Sequence, residues 1–343
     1  MLKLRAYLKK TSEVNLKKLE KIVKSSVIDS YNNTKIYKIK IRKNPAFSSK
    51  ARIIPERELR KKEIVTNHIE KLSRKECFLC NPRKRCAKFS ENSKLKKQYF
   101  LNDSAAFSNL FTTGKIHGIV VYNYKKHITD PRNLKLKNWV DGLKLVQKIG
   151  RESGKDYVST HINCGPKSGA SIEHFHGQFH CEDEPLSKTL LSMKLTKKLR
   201  KSSREWWKSW VKSMLEEGLV INFDLNSKVV FYVEWSPVFG KAELVIMTLE
   251  NSSFKSLRNA EIKSVAKFLQ KGVRILMDNV SSQFNVVNLS ASPKDDFCNQ
   301  FRIFSRSPIS EGLKSWEGYL EFSGETVPHI EPRKLANIAK EYF

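Results

Sequence analysis

The sequence predicts an α+β protein built from two topologically repeated halves, each with a mainly antiparallel sheet and packed helices. Short apolar or alternating segments, which are typical of strands, recur throughout the chain. Two longer segments carry apolar residues at three- and four-residue steps and predict one amphipathic helix in each half. The order strand, strand, helix, strand, loop, strand occurs twice with little sequence identity, which indicates a topological repeat.

Composition places the chain among globular proteins with a strongly basic surface. Its 343 residues are 40% hydrophobic, so they can bury a core without covalent staples, and a disordered protein is excluded. Sixty-four Lys and Arg against 35 Asp and Glu give a net charge of +29. Such a field attracts phosphorylated substrates and nucleic acid. The cations are scattered along the chain, which favours a generally basic surface over a dedicated nucleic-acid arm.

The lack of a recognisable targeting signal in this sequence and its cysteine spacing predict a cytoplasmic protein. The N-terminus is rich in lysine and lacks an apolar core segment, and no apolar run approaches the roughly 20 residues of a membrane helix. We therefore expect no membrane partner. In a reducing compartment, the C-x-x-C pair of Cys77 and Cys80 favours metal or redox chemistry over a structural disulfide.

For the first half of the chain, the sequence predicts the following segments in order. Residues 1–34 form a basic appendage, with a short helix over 1–30. Residues 35–185 form the N-terminal half that carries the active site and the metal site. A helix follows Asp130-Pro131, where apolar residues recur with a helical period. The strands of this half are predicted at 35–41, 115–123, 157–163 and 174–180.

The second half repeats this order after a basic helical connector at 186–224. Its three tryptophans could stack on bases, but at helical spacing they more often pack in a core; they are Trp206, Trp207 and Trp210. Residues 225–343 form the C-terminal half, which lacks the histidine-rich strand of the first. Its predicted elements are strands at 229–235, 242–249, 284–290 and 301–305 and a helix at 260–280.

The stretch HFHGQFH at 174–180 holds three of the chain's eight histidines. In a strand alternate side chains share a face, so His174, His176, Gln178 and His180 should line one face. Imidazole serves as a metal ligand or as a nucleophile. A tetrahedral ion on the C-x-x-C pair needs two further ligands. His174 and His127 are candidates, and Cys86 and His117 are alternatives. If His174 binds metal, His176 remains as nucleophile.

The loop NCGPKSGAS at 163–171 precedes this strand and predicts a phosphate cradle. Gly165 and Gly169 permit positive φ, so that backbone N–H groups can converge on an anion, and Ser171 adds a hydroxyl donor. Gln178 cannot titrate and therefore suits a leaving group that departs without a proton, such as a phosphate or sugar phosphate. These features predict ping-pong transfer of a nucleotidyl group through histidine.

The run NCGPKSGASIEHFHGQ at 163–178 resembles the active-site signature of the galactose-1-phosphate uridylyltransferase branch of the histidine-triad superfamily. That branch includes nucleotide-sugar and dinucleoside polyphosphate phosphorylases. Similar segments occur in the same order at 44–62, in CFLC, in YNYKKHITDPRNL and at 318–342, so the resemblance spans 35–343. It departs at Phe175, where the uridylyltransferases usually have proline and the phosphorylases carry other residues.

The resemblance implies a role for each matching residue. One structural zinc would be held by Cys77, Cys80, His127 and His174. His176 would attack the α-phosphorus, and Gln178 would hydrogen-bond the transferred phosphoryl group. The phosphates would be lined by Asn163, Gly165, Gly169 and Ser171. Arg57 and Arg60 would reach the substrate phosphates, although a solvated charge run is the alternative interpretation of these two arginines.

The expected function is that of a UDP-hexose:hexose-1-phosphate uridylyltransferase acting through a nucleotidyl-His176 intermediate in carbohydrate metabolism. An ADP- or GDP-sugar phosphorylase, or a dinucleoside polyphosphate phosphorylase, using inorganic phosphate is the alternative. A non-catalytic or nucleic-acid-binding member is the second alternative. The resemblance raises a homodimer as an expectation. No second metal is expected, because FRIFSR at 301–306 stands where some members have histidine ligands.

Overall fold

The computed structural model describes residues 1–28, 34–53, 72–90, 94–306 and 319–343. Eight α-helices lie in these ranges: α1 Leu2–Tyr7, α2 Pro82–Arg85, α3 Leu136–Glu152, α4 Ser187–Leu199, α5 Ser203–Glu216, α6 Asn259–Asn279, α7 Tyr319–Phe322 and α8 Pro332–Lys340. The strands before the connector are β1 Glu20–Ile28, β2 Thr34–Asn44, β3 Ser49–Ile53, β4 Tyr99–Leu101, β5 Ser104–Ser108, β6 Ile116–Val121, β7 Tyr157–Cys164 and β8 His176–Glu182. Those after α5 are β9 Val220–Asp224, β10 Val229–Val233, β11 Glu243–Thr248, β12 Phe284–Leu289, β13 Gln300–Ser305 and β14 Glu325–Thr326.

Ten strands form one continuous sheet that joins the two halves. The strand order is β4-β5-β6-β8-β7-β12-β13-β11-β10-β9, and adjacent strands are antiparallel. Outward from the central β7–β12 pair, the strands β7, β8, β6, β5 and β4 of the first half correspond to β12, β13, β11, β10 and β9 of the second. This symmetry confirms the predicted α+β class and the predicted repeat. The pairing of β7 with β12 also brings the loop that follows β7 next to the C-terminal half.

The helices α3 and α6 cover one face of this sheet and pack against each other. Their buried residues follow the helical period that predicted them, as at Trp139, Leu143 and Val146 of α3. Close packing on the sheet depends on glycine, because a Cβ on Gly142 would approach the Tyr122 ring to 2.5 Å. The opposite face of the sheet is therefore the one available for a site.

A second, four-stranded sheet has the order β1-β2-β3-β14. It corrects the prediction of a helix over residues 1–30. The helix ends at Tyr7, and Glu20–Ile28 pairs antiparallel with β2. The physical reason lies in the segment EKIVKSSVI, whose β-branched residues favour a paired strand over a helix. The basic residues dominated the sequence pattern and concealed this preference.

The predicted connector at 186–224 forms α4 and α5, but its last residues form β9 of the large sheet instead of a helix. Its tryptophans belong to the core. Trp206, Trp207 and Trp210 of α5 are at most 3% exposed. Trp210 packs edge-on against Trp235, with ring centroids 6.2 Å apart. The packing interpretation is thus confirmed, and these side chains do not present a base-stacking surface. None of the described helices is both long enough and apolar enough to cross a membrane.

Candidate active site and metal cluster

The histidine strand places polar side chains together on the open face of the sheet. In β8, Gln178 lies directly opposite His161 of β7, and His180 lies directly opposite His117 of β6. Directly opposite residues project to the same face. His176, Gln178 and His180 therefore share one face, as predicted, and His161 joins them. The alternation in HFHGQFH could not predict that His161 lies on this face, because only the pairing of β7 with β8 places it there.

The opposite face of the strand is buried against α3 and its neighbours. Phe179 packs over Gly118, where a Cβ would come within 2.2 Å of the phenyl ring. Phe175 is 3% exposed and lies 5.4 Å from Tyr122 and 5.5 Å from Trp139 between ring centroids. Phe175, the position at which the sequence departs from the family motif it resembles, thus has a packing role in this chain.

His174 lies outside the strand, which corrects one prediction. β8 begins at His176, because the preceding residue, Phe175, donates its N–H to the carbonyl of Ile128 at 2.7 Å instead of joining the ladder. His174 is fully buried, and its Nε2 lies 2.9 Å from the carbonyl oxygen of Asn123. A carbonyl only accepts, so Nε2 carries the proton and Nδ1 is left as a lone-pair donor.

His174 and three further side chains bring their ligand atoms together and could hold a metal ion. The Sγ atoms of Cys77 and Cys80 lie 3.5 and 3.4 Å from His174 Nδ1, and Cys80 Sγ lies 3.3 Å from His127 Nδ1. The four ligand atoms are all within 4.8 Å of one another. A tetrahedral zinc, with bonds of about 2.3 Å to sulfur and 2.0–2.1 Å to nitrogen, places such atoms about 3.6 Å apart. The donor set and its spacing therefore fit this ion.

The sequence alternatives for the metal ligands lie elsewhere. Cys86 donates its S–H to the carbonyl of Phe78 at 3.5 Å. His117 hydrogen-bonds instead to side chains on the open face of the sheet. Of the described residues, only the four named above form such a cluster. The structure thus separates the ligand candidates that residue spacing left open.

Burial gives the cluster its electrostatic character. Desolvation, followed by the neighbouring Cys77, raises the pKa of Cys80 to about 12. Desolvation also lowers the pKa of His174 to about 4. Without a cation these side chains are neutral, whereas a bound cation would stabilise the thiolates. Cys77 also belongs to the same small core as Ile119, the residue opposite Gln178, so this core adjoins the histidine strand β8.

His176 has the geometry of an activated nucleophile. It is 6% exposed, and its Nδ1 lies 2.8 Å from the carbonyl oxygen of His174. Since a carbonyl only accepts, Nδ1 carries the proton, and the Nε2 lone pair is available for attack. Burial lowers the pKa of His176 below its usual value, which favours the neutral, nucleophilic form.

The glycine loop is fixed by the second half of the chain. Gly165 and Gly169 have φ of 87° and 81°, as the cradle prediction required. Asn285 Nδ2 donates to Asn163 Oδ1 at 2.6 Å and to the carbonyl of Ser168 at 2.9 Å. These contacts hold the loop in one conformation. Ser171 is exposed beyond it, where its hydroxyl can meet a ligand.

A second side chain from the same region completes this support. Gln283 accepts the backbone N–H of Lys167 at 2.7 Å, and a Cβ on Gly165 would approach Gln283 Cγ to 2.9 Å. Sequence reasoning missed Gln283 and Asn285, because they lie more than a hundred residues beyond the loop. Arg57 and Arg60, the predicted phosphate-binding arginines, lie outside the described residues.

The corresponding face of the C-terminal half is filled. Ile303 points toward Gly272 of α6, so its neighbour Arg302 points to the opposite, site-bearing face. Arg302 is fully buried and pairs with Glu243 and, at 3.1 Å, with Glu234. The guanidinium also lies 4.6 Å from the Phe47 ring centroid. This half therefore uses the face for a buried ion-pair cluster.

Comparisons with known proteins show the fold. No family model and no curated protein matches the sequence. An ADP-glucose phosphorylase from Arabidopsis thaliana, solved with bound ADP-glucose, superposes with a TM-score of 0.64 at 15% identity, covering 88% of this chain and 97% of that one. A GalT-like protein from Arabidopsis thaliana gives 0.64 at 14% identity, with 88% and 98% covered. A uridylyltransferase gives 0.58 at 14% identity, with 88% and 98% covered.

Proposed function

We propose that this chain is a nucleotidyltransferase of the uridylyltransferase and phosphorylase type, with His176 as its nucleophile. The observation that carries the proposal is the fixed, neutral imidazole of His176, which stands on one face with Gln178 and next to the glycine loop. The fold supports it, because a uridylyltransferase and a phosphorylase with bound ADP-glucose share this fold. The substrate would be a nucleoside diphosphate sugar or a dinucleoside polyphosphate.

In the first step, Nε2 of His176 forms a bond to the α-phosphorus of the donor. The bond from that phosphorus to the bridging oxygen breaks, and the oxygen leaves as part of a sugar phosphate or nucleotide. Such a group departs without protonation at neutral pH, so the non-titrating Gln178 is sufficient beside it. Backbone N–H groups of the loop and the Ser171 hydroxyl would hold the phosphoryl oxygens.

In the second step, a phosphate oxygen of the acceptor attacks the same phosphorus. The bond to Nε2 breaks, and the neutral imidazole is restored for the next cycle. The hydrogen bond from Nδ1 to the His174 carbonyl keeps the ring oriented and stabilises the positive charge that the ring acquires on attack. Both steps use one residue and one phosphorus position, which is the requirement of ping-pong transfer.

We further propose that Cys77, Cys80, His127 and His174 hold one structural zinc. All four ligands come from the protein, and closed sites of this kind contribute to folding instead of catalysis. Bound zinc supplies a fixed crosslink between the C-x-x-C segment and the residues just before β8. The backbone carbonyl that orients the His176 ring belongs to the ligand residue His174, so a fixed His174 also fixes the nucleophile.

The acceptor separates the two activities within this proposal. A hexose 1-phosphate would make the chain a uridylyltransferase-like enzyme, whereas inorganic phosphate would make it a phosphorylase. The phosphorylase alternative is favoured by Phe175, which occupies the usual proline position of the uridylyltransferases with a packed aromatic ring. The shared fold with an ADP-glucose phosphorylase agrees with this choice.

Steady-state kinetics test the proposed activity. UDP-glucose, ADP-glucose, GDP-glucose and diadenosine tetraphosphate are each supplied with galactose 1-phosphate or inorganic phosphate, and products are separated by chromatography. We expect turnover of at least one donor, with parallel double-reciprocal lines and complete loss in His176→Ala. Cys86→Ser, outside the ligand set and the strand, is the matched control. No turnover with any pair, together with tight, salt-sensitive RNA or DNA binding, would instead support the nucleic-acid-binding alternative.

A further inference from the structure

Next to the proposed nucleophile, three side chains that the two-step reaction does not use form a hydrogen-bonded row that ends on Gln178. His117 Nε2 lies 2.9 Å from Gln178 Oε1. On the other side of the ring, His117 Nδ1 lies 3.2 Å from both the backbone nitrogen and the hydroxyl of Thr113. The Thr113 hydroxyl in turn lies 3.0 Å from His180 Nε2. The row thus runs from His180 through Thr113 and His117 to Gln178.

The backbone N–H of Thr113 determines which nitrogen of His117 carries the proton. A backbone N–H can only donate, and this one points at Nδ1, so Nδ1 is an acceptor. A neutral imidazole carries one proton, which therefore sits on Nε2. Nε2–H then donates to Gln178, and the amide must present Oε1 to it. His117 is 5% exposed, so water does not compete freely for these bonds.

The Thr113 hydroxyl lies 3.2 Å from His117 Nδ1 and 3.0 Å from His180 Nε2, and it can donate to either nitrogen. The direction of the bond to Gln178 follows from the Thr113 backbone N–H alone. With its oxygen engaged by His117, Gln178 has its amide nitrogen free of hydrogen bonds to the part of the chain that the structure describes. That NH₂ group can only donate. A hydrogen-bond donor of this kind is what a negatively charged phosphoryl oxygen requires.

His180 and the neighbouring backbone hold the His117 ring in place. The two imidazoles are stacked, with centroids 4.2 Å apart and planes 16° from parallel. His180 lies opposite His117 in the β6–β8 register, so the ladder fixes their separation. Burial, and then the neighbouring His117, lower the pKa of His180 to about 4, which agrees with a neutral ring at neutral pH. The stacked pair therefore avoids the repulsion of two cations.

Asn109 offers the competing arrangement. Its Nδ2 lies 3.2 Å from His117 Nε2, while its Oδ1 accepts the N–H of Phe111. If His117 carried its proton on Nδ1, Nε2 would accept from Asn109 and from a reversed Gln178 amide. In that arrangement the Nδ1–H of His117 would point at the backbone N–H of Thr113, which cannot move away. With the proton on Nε2, the only conflict is with the Asn109 amide, and that side chain can rotate. The backbone contact therefore favours the proton on Nε2.

We propose that His117, held by Thr113 and His180, is a positioning residue that fixes the Gln178 amide with its NH₂ group toward the transferred phosphoryl group. The inference rests on the proposed function for the identity of that group, but the orientation of the amide follows from contacts within the chain. It also assigns a role to His180, which the sequence motif left without one. A reversed amide would present an oxygen lone pair to the phosphoryl oxygens and repel them.

Two independent measurements test the proposal. The first is the imidazole nitrogen NMR spectrum of the full-length ¹⁵N-labelled protein, which reports the tautomer of His117 without any substrate. We expect the proton on Nε2, with the signal assigned by its loss in His117→Gln. A proton on Nδ1 would overturn the proposal. Because this readout needs no activity, it stands or fails separately from the proposed nucleotidyl transfer.

The second measurement compares His117→Leu with His117→Gln in the transfer reaction. Leucine removes the donor and lets the amide reverse, so kcat should fall on the order of 100-fold, as on loss of one transition-state hydrogen bond. Glutamine returns an N–H at a similar distance and should recover most of that loss. In a Gln178→Ala background, His117→Leu should cause little further loss, because the two residues act as one unit.

The outcomes of the kinetic test are distinct. Equal losses in His117→Leu and His117→Gln, or fully additive losses with Gln178→Ala, would show a structural effect only and overturn the positioning role. The thermal unfolding midpoints of both variants are compared, so that a variant that fails to fold is recognised, and the tautomer measurement then decides. If wild-type protein transfers no nucleotidyl group although His117 carries its proton on Nε2, the proposed function fails while the amide orientation stands.

Discussion

A single hydrogen bond connects the ring of His176, the proposed nucleophile, to His174, a member of the candidate metal cluster. His176 Nδ1–H donates to the carbonyl of His174, whose own imidazole faces the sulfur atoms of Cys77 and Cys80. The two histidines therefore share one backbone segment but serve different chemistry. Movement of His174 would carry with it the carbonyl that orients the nucleophile. The chemistry of each of these two residues thus depends on which ring nitrogen carries the proton.

The non-titrating Gln178 predicts the balance between transfer and hydrolysis. A histidine at this position could protonate a poor leaving group or deprotonate water, which general acid–base catalysis exploits. Gln178→His should therefore raise hydrolysis of the donor relative to transfer by about tenfold or more. The measurement is product analysis with and without acceptor. Gln178→Asn is the matched control, because it does not titrate either; an unchanged hydrolysis rate in Gln178→His would refute the leaving-group argument.

The histidines of the open face predict how stability depends on pH. Burial, and then the charges of His180 and His117, lower the pKa of His161 from 6.5 to about 3. Between these values the unfolded chain binds a proton that the folded chain does not. The free energy of unfolding contributed by His161 is therefore fully present above about pH 6.5 and is lost as the pH falls toward 3.

His161→Gln tests this linkage, since glutamine is polar but does not titrate. Urea midpoints are measured between about pH 7 and pH 4.5. The slope of unfolding free energy against pH should be smaller in the variant, by at most about one proton. Identical slopes for the two proteins would contradict the lowered pKa of His161.

Among the elements, the C-x-x-C segment and the residues just before β8 are separate pieces of chain that meet at the candidate metal cluster. Cys77 belongs to a small core with Leu79 and Ile119, next to the active strand. The sequence could supply the ligand types and the C-x-x-C spacing. It could not decide between His127 and Cys86, because that choice depends on how a loop folds over a distant strand.

Metal analysis tests this assembly. We expect about one zinc per chain in purified protein, and its loss or a strong reduction in Cys77→Ser, because a tetrahedral structural site needs all four ligands. Cys86→Ser, which alters a cysteine of the same small core outside the ligand set, should keep its metal. A metal content near zero in wild-type protein, or equal retention by both variants, would rule out the four-ligand site.

Elements with a clear period were predictable, and elements that depend on a partner were not. The apolar periods of α3 and α6 predicted both helices, and the alternation around Gln178 predicted β8. Glu20–Ile28 was missed because its basic residues resemble a helical surface, whereas its structure comes from pairing with β2. The start of β8 was placed two residues early for a similar reason, since the N–H of Phe175 finds its acceptor outside the sheet.

At the scale of the whole molecule, the two halves divide the work of one sheet. The first half presents the polar face around His176, and the second half supports its loop through Gln283 and Asn285. The repeat itself was visible in the order of predicted elements. The support of the loop was not, because nothing in the local pattern of β12 indicates that it will lie beside β7.

The buried ion-pair cluster of the second half predicts a large loss of stability when its cation is removed. Arg302 is the cation between two buried carboxylates, Glu234 and Glu243, and burial raises the pKa of Glu234 to about 7. Arg302→Met leaves both buried carboxylates without their cation and should cost about 3–5 kcal/mol of unfolding free energy. Arg5→Met removes an exposed pair with Glu216 and should cost less than about 1 kcal/mol. The unfolding free energies of both variants are measured by urea denaturation. Equally small losses of unfolding free energy would contradict the cost expected for an unpaired buried charge.

The mass of the protein after incubation with donor alone tests nucleophilic catalysis by His176 most directly. UDP-glucose, ADP-glucose, GDP-glucose or diadenosine tetraphosphate is supplied without acceptor, and samples are kept at neutral to alkaline pH because a phosphorus–imidazole bond is labile to acid. We predict a gain of one nucleotidyl group on the peptide containing His176, absent in His176→Ala and discharged by adding a phosphate acceptor. Consumption of donor without any adduct, or an adduct on another residue, would contradict nucleophilic catalysis by His176.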